Sequence, residues 1–246
     1  QTVKDFPLAY ETYGKLNKSK DNAVLVFHAL TGDQFVSGIN PITKKEGWWV
    51  TAVGPGKAID TNKYFVICAN VIGGCMGSWG PKEIDKKTNE PYGLNFPVIT
   101  IRDMVKAQET LLDHLGVEKL LCATGGSMGG MIAQRLVINH PERVRSLTSL
   151  FSSPRLILGT NESVAALLSE DAGTYEGRIE MAVETARSFS GGGFPFDEEE
   201  TRQRMIESIE RSWHPEGQAR QGAAVIADGD RTEDLRKVKA PTLVIH

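Results

Sequence analysis

One serine of this sequence, Ser127, lies in a Gly-x-Ser-x-Gly pattern that can produce a nucleophile. The apolar stretch LLCAT precedes the pattern and MIAQRLVINH follows it, which predicts a strand, a sharp turn and then a helix. Gly125 and Gly129 fit such a turn, because it brings two backbones too close together for side chains. The helix start adds free amides and partial positive charge beside the serine oxygen, as a developing oxyanion requires. The alternative is a glycine-rich turn with an incidental serine.

Two backbone amides are predicted to hold the oxyanion. One belongs to Met128, the residue directly after the serine. The other is expected in the loop after an earlier strand, and residues 23–29 form an apolar strand candidate that runs into Leu-Thr-Gly-Asp. The Leu30 amide in that loop is therefore the predicted second donor. His28 lies at the end of the same strand, far ahead of the serine, and is predicted to be structural.

A serine nucleophile also needs a histidine as base and an acid that orients this histidine. Three histidines follow Ser127 in the chain. His140 ends the helix after the serine, His214 follows a predicted helix as a surface or pocket residue, and His246 ends a predicted strand. None of these positions is the one expected for the base, which should come after the acid and one further strand.

The carboxylates after Ser127 offer no better candidate for the acid. Residues 152–154 follow a predicted strand and are Ser-Ser-Pro. The acids before the last predicted strand are expected to form a solvated connection: Asp228, Asp230, Glu233 and Asp234. The acid and the histidine are therefore expected after residue 246, which predicts a catalytically weak chain that lacks the C-terminal end of its fold.

The elements that must position these residues alternate between strands and helices. Strands are predicted at residues 6–13, 23–29, 64–71, 120–124, 144–151 and 241–246. A capping box at Thr100 and Asp103 predicts a helix that Gly116 ends. This alternation predicts an α/β fold with a mostly parallel sheet and helices on both faces.

A block of predicted helices interrupts that alternation between two strands. It comprises residues 162–171, 175–189, 197–213 and 218–227, with Gly191, Gly192 and Gly193 as a flexible joint. Such a block is most simply a cap over the carboxyl edge of the sheet, where open α/β sheets bind ligands. The predicted organisation is thus a core of residues 1–154 and 228–246 with a helical cap at 155–227.

The composition excludes several classes of function. A net charge of −3, with 40% hydrophobic and 24% charged residues, gives no basic surface for nucleic acid. No apolar run is long enough to span a membrane. The three cysteines (Cys68, Cys75 and Cys122) have no zinc-site spacing and favour a reducing, cytoplasmic setting without a metal, with Cys122 buried in the core.

Several separate blocks within residues 7–150 resemble the homoserine O-acetyltransferase family, which has the α/β-hydrolase fold. They include LAYETYGKLN, NAVLVFHALTGD, VGPGKAIDTNKYFVICANVIGGCMGSWGP and GGSMGGM. The resemblance implies that Ser127 takes an acetyl or succinyl group from acetyl-CoA or succinyl-CoA, with no bound cofactor. It also implies transfer to the hydroxyl of homoserine or serine in methionine biosynthesis, a cap that excludes water, and a homodimer.

Two features depart from the family pattern. Trp79 stands where the family usually has a small residue, and its ring is expected to reshape the loop around it. Residues 151–246 look instead like the cap and late strand of esterases, so that the substrate-binding arginine of the family cannot be assigned. The alternatives are therefore an α/β-hydrolase esterase, with water as the acceptor, and a catalytically incomplete chain that binds ligand.

Overall fold

The computed structural model describes residues 5–155, 172–190, 193–212 and 215–246. Ten strands are present in this part of the chain: β1 (Tyr10–Tyr13), β2 (Ala23–Phe27), β3 (Val53–Gly54), β4 (Ile59–Asp60), β5 (Phe65–Ala69), β6 (Ile84–Asp85), β7 (Glu90–Pro91), β8 (Cys122–Gly126), β9 (Leu147–Leu150) and β10 (Thr242–Ile245). Six helices accompany them: α1 (Ile101–His114), α2 (Met128–Asn139), α3 (Tyr175–Phe189), α4 (Glu198–Arg211), α5 (Pro215–Asp228) and α6 (Thr232–Leu235). Short 3-10 turns lie at Gly93–Asn95 and Pro141–Arg143.

Six strands form the main sheet in the spatial order β1-β5-β2-β8-β9-β10. Only β1 runs antiparallel to its neighbour, and the other described pairs are parallel. Strand β2 and its neighbour β8 lie in the middle of this sheet. Their apolar sequences follow from that position, because both faces of a central parallel strand are covered. The sheet therefore brings the carboxyl ends of β2, β5, β8 and β9 to one edge.

The main hydrophobic core lies between the sheet and helices α1 and α2. Phe27 of β2, Ile67 of β5, Leu112 of α1 and Ile132 of α2 are all buried there. Burying a side chain of this size contributes about 1.5–3 kcal/mol, so a few such residues fix how the two helices sit on the sheet. Helix α2 is the helix that follows Ser127, and its burial therefore anchors the turn that carries the serine.

Helix α1 begins at the predicted capping box. The Asp103 amide donates to the Thr100 hydroxyl (3.2 Å), and the Thr100 amide donates to the Asp103 carboxylate (2.9 Å). The box satisfies two amides that have no partner inside the helix.

Helices α3, α4 and α5, which come between β9 and β10 in the chain, are together called the helical layer. Helices α3 and α4 pack against each other, and exposed ion pairs such as Arg202 with Glu180 (2.6 Å) join them. Helix α5 packs against α1 of the core. Predicted helices at 175–189, 197–213 and 218–227 correspond to these three, with α5 starting three residues earlier, at Pro215. The predicted helix at 162–171, His214 and most of the Gly191–Gly193 joint lie outside the described residues.

The outer edge of β10 pairs with no strand in the described part of the chain. Leu243, Val244 and Ile245 are each more than half exposed there. Cys122 corrects the sequence prediction of a buried thiol: it is partly exposed, because it begins β8, while Cys68 and Cys75 are buried.

Candidate active site

Ser127 lies between the last residue of β8 and the first residue of α2, as the sequence predicts. Its backbone has φ 53° and ψ −122°, a conformation that costs a non-glycine residue about 1–3 kcal/mol. The Ser127 amide donates to the Leu150 carbonyl of β9 (3.1 Å), which ties the turn to the neighbouring strand. Such strain at a strand-to-helix turn is the geometry that exposes a nucleophilic serine.

The glycines on both sides of the serine are required by close backbone contacts. A Cβ atom on Gly125 would lie 2.5 Å from the carbonyl carbon of Gly129. A Cβ atom on Gly129 would lie 2.2 Å from the carbonyl oxygen of Phe27, and 2.7 Å from that of His28. The first turn of α2 therefore rests directly on the end of β2, beside the loop that contains Leu30.

The two predicted oxyanion donors have free amides. Met128 is the first residue of α2, where an amide has no partner inside the helix. Leu30 lies in the turn after β2. Neither amide donates a hydrogen bond to any residue that the structure describes. Because α2 starts against the carbonyls of Phe27 and His28, both amides lie near the carboxyl end of β2.

His28 is a structural histidine, as the sequence predicts. The Nδ1 atom of its buried ring lies 2.7 Å from the Ala29 carbonyl, to which it donates. The Nε2 atom accepts from the Val71 amide (3.1 Å) and lies 3.2 Å from the side-chain nitrogen of Asn70. Burial lowers the pKa of His28, which keeps the ring neutral. Both ring nitrogens are thus occupied, and the ring ties the loop after β2 to the end of β5.

No described side chain donates to or accepts from the Ser127 hydroxyl. His140 ends α2, and its Nδ1 atom lies 2.9 Å from the Glu109 carboxylate. His246 follows β10, and the strand pairing sets it level with Phe151. Two strand spacings, roughly 10 Å, therefore separate the His246 and Ser127 backbones. The hydroxyl of Ser152 donates to the Ser127 carbonyl (2.9 Å), not to its side chain.

Asp228 corrects the prediction of a solvated connection before β10. Its carboxylate is 2% exposed and lies 2.8 Å from Nε of Arg135, on α2. It also lies 2.5 Å from Arg231, whose side chain is fully buried. The guanidinium of Arg231 further donates to the carbonyl of Ser153 (2.8 Å), directly after β9. Because two buried cations surround Asp228, this acid holds the fold together and is engaged away from Ser127.

The other three acids of that connection behave as predicted. The exposed fractions of their side chains are 47% for Asp230, 76% for Glu233 and 44% for Asp234. Their carboxylates are accessible to solvent, which screens their ion pairs and leaves these a small contribution to stability.

The helical layer contacts two loops at the carboxyl edge of the sheet, those after β2 and β5. At the end of α4, the Arg211 guanidinium forms a buried ion pair with Asp33 in the loop after β2. On α5, Arg220 donates to the Pro97 carbonyl (3.0 Å). Gly217 of α5 lies so close to the loop after β5 that an added Cβ atom would be 2.9 Å from Cβ of Cys75. These contacts hold the layer over the carboxyl edge of the sheet.

Trp79 packs against the rings of other aromatic side chains. Its ring centroid lies 4.4 Å from that of Phe96 and 5.9 Å from that of Phe6. Its carbonyl accepts from the Gly73 amide (2.7 Å), which closes the loop after β5 on itself. The large side chain therefore fills a cluster of aromatic rings.

One contact of the site is not predictable from the sequence. The Thr31 amide, next to Leu30, donates to the side-chain oxygen of Gln221 on α5 (2.9 Å), although 190 positions separate the two residues. A glutamine in a helix gives no signal of such a contact. The positive φ of Thr31 (58°) could not be anticipated from a threonine either.

The described ranges contain no cluster of three or more histidine, cysteine, aspartate or glutamate side chains arranged to hold a metal ion. None of the helices within those ranges combines the length and apolar character that crossing a bilayer requires.

Known proteins resemble the chain in sequence and in structure. The family model of the alpha/beta hydrolase fold matches residues 22–186. Homoserine O-acetyltransferase of Pelagibacter ubique is 68% identical over 145 residues, which are 59% of this chain and 39% of that protein. The structure of homoserine O-acetyltransferase from Bacillus anthracis has a TM-score of 0.75 at 25% identity, over 96% of this chain and 76% of that one.

Esterase E22 shares the fold, with a TM-score of 0.71 at 24% identity, over 98% of this chain and 79% of that one. The chain spans less than half the length of the curated relatives it matches.

Proposed function

Because the chain belongs to the α/β-hydrolase family, we propose that Ser127 carries an acyl group in an acyltransferase reaction. The donor is acetyl-CoA and the acceptor is the hydroxyl of homoserine, a reaction of methionine biosynthesis in the cytoplasm. The observation that carries the proposal is the strained backbone of Ser127 between two glycines that admit no side chain. The 68% identity to a homoserine O-acetyltransferase supports this choice of substrates.

The reaction has two steps. The Ser127 oxygen bonds to the thioester carbonyl carbon and loses its proton, and the carbonyl oxygen becomes an oxyanion held by the Leu30 and Met128 amides. Collapse of this intermediate breaks the carbon–sulfur bond and releases the thiol of CoA, which takes up a proton. The homoserine hydroxyl then attacks the acyl-serine, forms the ester product and returns a proton to Ser127.

The helical layer is proposed as the cap of this site. Its contacts with the loops after β2 and β5 support that role, because both loops lie at the carboxyl edge of the sheet, where Ser127 follows β8. A cap that excludes water would let the acyl-serine survive until homoserine arrives. With water as the acceptor, the same chemistry is that of an esterase.

The proposal is tested by trapping the acyl-enzyme. The protein is mixed with acetyl-CoA, digested and searched by mass spectrometry for an acetyl group on the peptide of Ser127, with Ser127→Ala as the control. Homoserine is then added to the trapped species, and O-acetylhomoserine and acetate are quantified. A Ser127 that stays unlabelled even after long incubation in imidazole buffer refutes the proposal, and acetate as the main product in the presence of homoserine replaces it with the esterase.

We also propose that these 246 residues acylate slowly, because no described base reaches the Ser127 hydroxyl and a protonated serine is a poor nucleophile. Free imidazole in the buffer can act as a base for this hydroxyl. The rate of Ser127 acylation should therefore rise with imidazole concentration, after subtraction of the rate for Ser127→Ala. Fast acylation that imidazole leaves unchanged would contradict this part of the proposal.

A further inference from the structure

The loop that carries the Leu30 amide is a tight turn with an unfavourable residue at its third position. The Ala29 carbonyl accepts from the Gly32 amide (3.0 Å), so Leu30 and Thr31 are the two central residues. Thr31 has a φ of 58°, whereas Leu30 is not among the residues with positive φ. A positive φ at the second central residue alone defines a type II turn, which normally has glycine there. A β-branched threonine in this conformation is strained and needs other contacts to hold it.

Gln221 of the helical layer supplies such a contact. Its side chain is 1% exposed, and its oxygen accepts from the Thr31 amide (2.9 Å). Since an amide can only donate, the oxygen of Gln221 must face Thr31 and its nitrogen must face away. That nitrogen lies 2.6 Å from where a Cβ atom of Gly74 would be, so Gly74 leaves the room that this side chain needs.

The nitrogen end of Gln221 has no hydrogen-bond partner among the described residues. A buried polar group without a partner is unfavourable, and few are found in folded proteins. The hydrogen bond from the Thr31 amide to the Gln221 oxygen is therefore the one that holds this side chain in position.

The direction of the Thr31 amide is what distinguishes the two common turn types. Types I and II differ by a half-rotation of the peptide between the central residues, here the peptide of the Leu30 carbonyl and the Thr31 amide. In the type I form, Thr31 would have an unstrained negative φ, and its amide would point away from Gln221. An acceptor at Gln221 thus selects the strained form of the turn.

We propose that Gln221 is a positioning residue: by holding the peptide that follows Leu30, it fixes the turn after β2 and thereby keeps the Leu30 amide of the adjoining peptide aligned with the oxyanion of the acyl-transfer reaction. This inference rests on the proposed function of Ser127. The hydrogen bond between Gln221 and Thr31 joins α5 to the loop that contains Leu30. Docking of α5 on the core therefore also aligns the Leu30 amide.

Three variants and a control on the same helix test the inference. Gln221→Met keeps the size of the side chain and removes the acceptor, whereas Gln221→Glu retains an acceptor. The double variant Gln221→Met with Thr31→Gly removes the acceptor and also the strain, since glycine adopts a positive φ without cost. Ala223→Gln changes an exposed position of α5 and is the control.

The kinetic measurement is acylation of Ser127 by p-nitrophenyl acetate, followed as the release of p-nitrophenolate over a range of ester concentrations. Gln221→Met should lower the maximal acylation rate about 10- to 100-fold, less than the roughly 100- to 1,000-fold loss of a whole oxyanion donor. The half-saturating ester concentration should stay the same. Gln221→Glu and the double variant should recover most of the rate, which a general loss of packing would not allow.

Amide hydrogen exchange at Thr31 provides a second measurement that does not depend on catalysis. The exchange rate should increase in Gln221→Met and remain that of the parent protein in Gln221→Glu and Ala223→Gln. Unchanged exchange in Gln221→Met, or an unchanged acylation rate in a protein whose Ser127 is acylated, overturns the inference alone. If the parent protein turns the ester over no faster than Ser127→Ala does, the proposed function is overturned. The exchange result at Thr31 still decides the inference.

Discussion

Replacement of Asp228 by asparagine should destabilise the protein more than neutralisation of any other acid in the connection before β10. The Asp228 carboxylate lies between the guanidinium groups of Arg135 and Arg231, and all three side chains are at most 3% exposed. Burial is the main influence on the pKa of Arg231 and lowers it, whereas the ion pair with Asp228 opposes that effect. Asparagine keeps the shape of the side chain but leaves two buried cations without an anion between them.

The size of the effect depends on the hydrogen bonds that Arg135 and Arg231 retain in the variant. Arg231 still donates to the Gln134 side chain (3.1 Å) and to the Ser153 carbonyl (2.8 Å), so its hydrogen bonds are not all lost. Arg135 keeps the carbonyl of residue 228 (2.9 Å). The loss is mainly that of charge compensation, and removal of one partner from a buried ion pair costs about 3–5 kcal/mol. For a chain of this length, that corresponds to a decrease of roughly 10 °C in Tm.

The assay is thermal and urea unfolding followed by circular dichroism. Asp234→Asn is the matched control, because Asp234 lies 3.6 Å from the same Arg135 but is 44% exposed. Solvent screens the half-exposed Asp234 carboxylate, so its pair with Arg135 contributes about 1 kcal/mol or less, and the control should change Tm little. If both variants unfold at the same temperature, Asp228 does not hold α2 against the turn before β10, and the reasoning is refuted.

Three further predictions concern the turn around Ser127 and the histidine beneath it. Gly129→Ala should lower the free energy of unfolding in urea, because its Cβ atom would meet the Phe27 carbonyl. Gly222→Ala, at a position of α5 with open space around it, should raise that free energy by up to about 1 kcal/mol. Equal effects of the two variants would contradict the close contact of α2 with β2. Ser127→Gly should raise the unfolding free energy by about 1–2 kcal/mol, since it relieves the positive φ, and a lower unfolding free energy would argue against strain. Burial lowers the pKa of His28 in the folded protein below its value in the unfolded chain. The free energy of unfolding should therefore be highest above about pH 6.5 and should decrease at lower pH, by up to about 1.4 kcal/mol per pH unit. His28→Gln should reduce that slope, and an unaltered slope would mean that His28 is not the group responsible.

Local patterns were sufficient to predict the turn that carries Ser127. The apolar strand before the serine, the glycines and the apolar helix after it are neighbours in sequence, and the structure confirms all three. The capping box at Thr100 is confirmed for the same reason, because its partners are three residues apart. The positions of most strands in the sheet also follow from continuous apolar runs.

Contacts between distant residues could not be predicted. The buried position of Asp228 depends on Arg135, 93 residues earlier, and an acid before a strand normally indicates solvent. The contact of Thr31 with Gln221 depends on how a helix of the second half docks on a loop of the first. The short ladders β3–β4 and β6–β7 were missed as well, because two-residue strands have no periodicity to detect.

Strand β10 has a practical consequence for handling the protein. Its outer edge pairs with no strand in the described part of the chain, and its exposed Leu243, Val244 and Ile245 include neither a charge nor a proline. Natural sheets guard such edges because they recruit strands from other molecules. Concentrated solutions of these 246 residues should therefore form intermolecular β-structure, and a lysine in place of Val244 should raise the concentration at which light scattering begins.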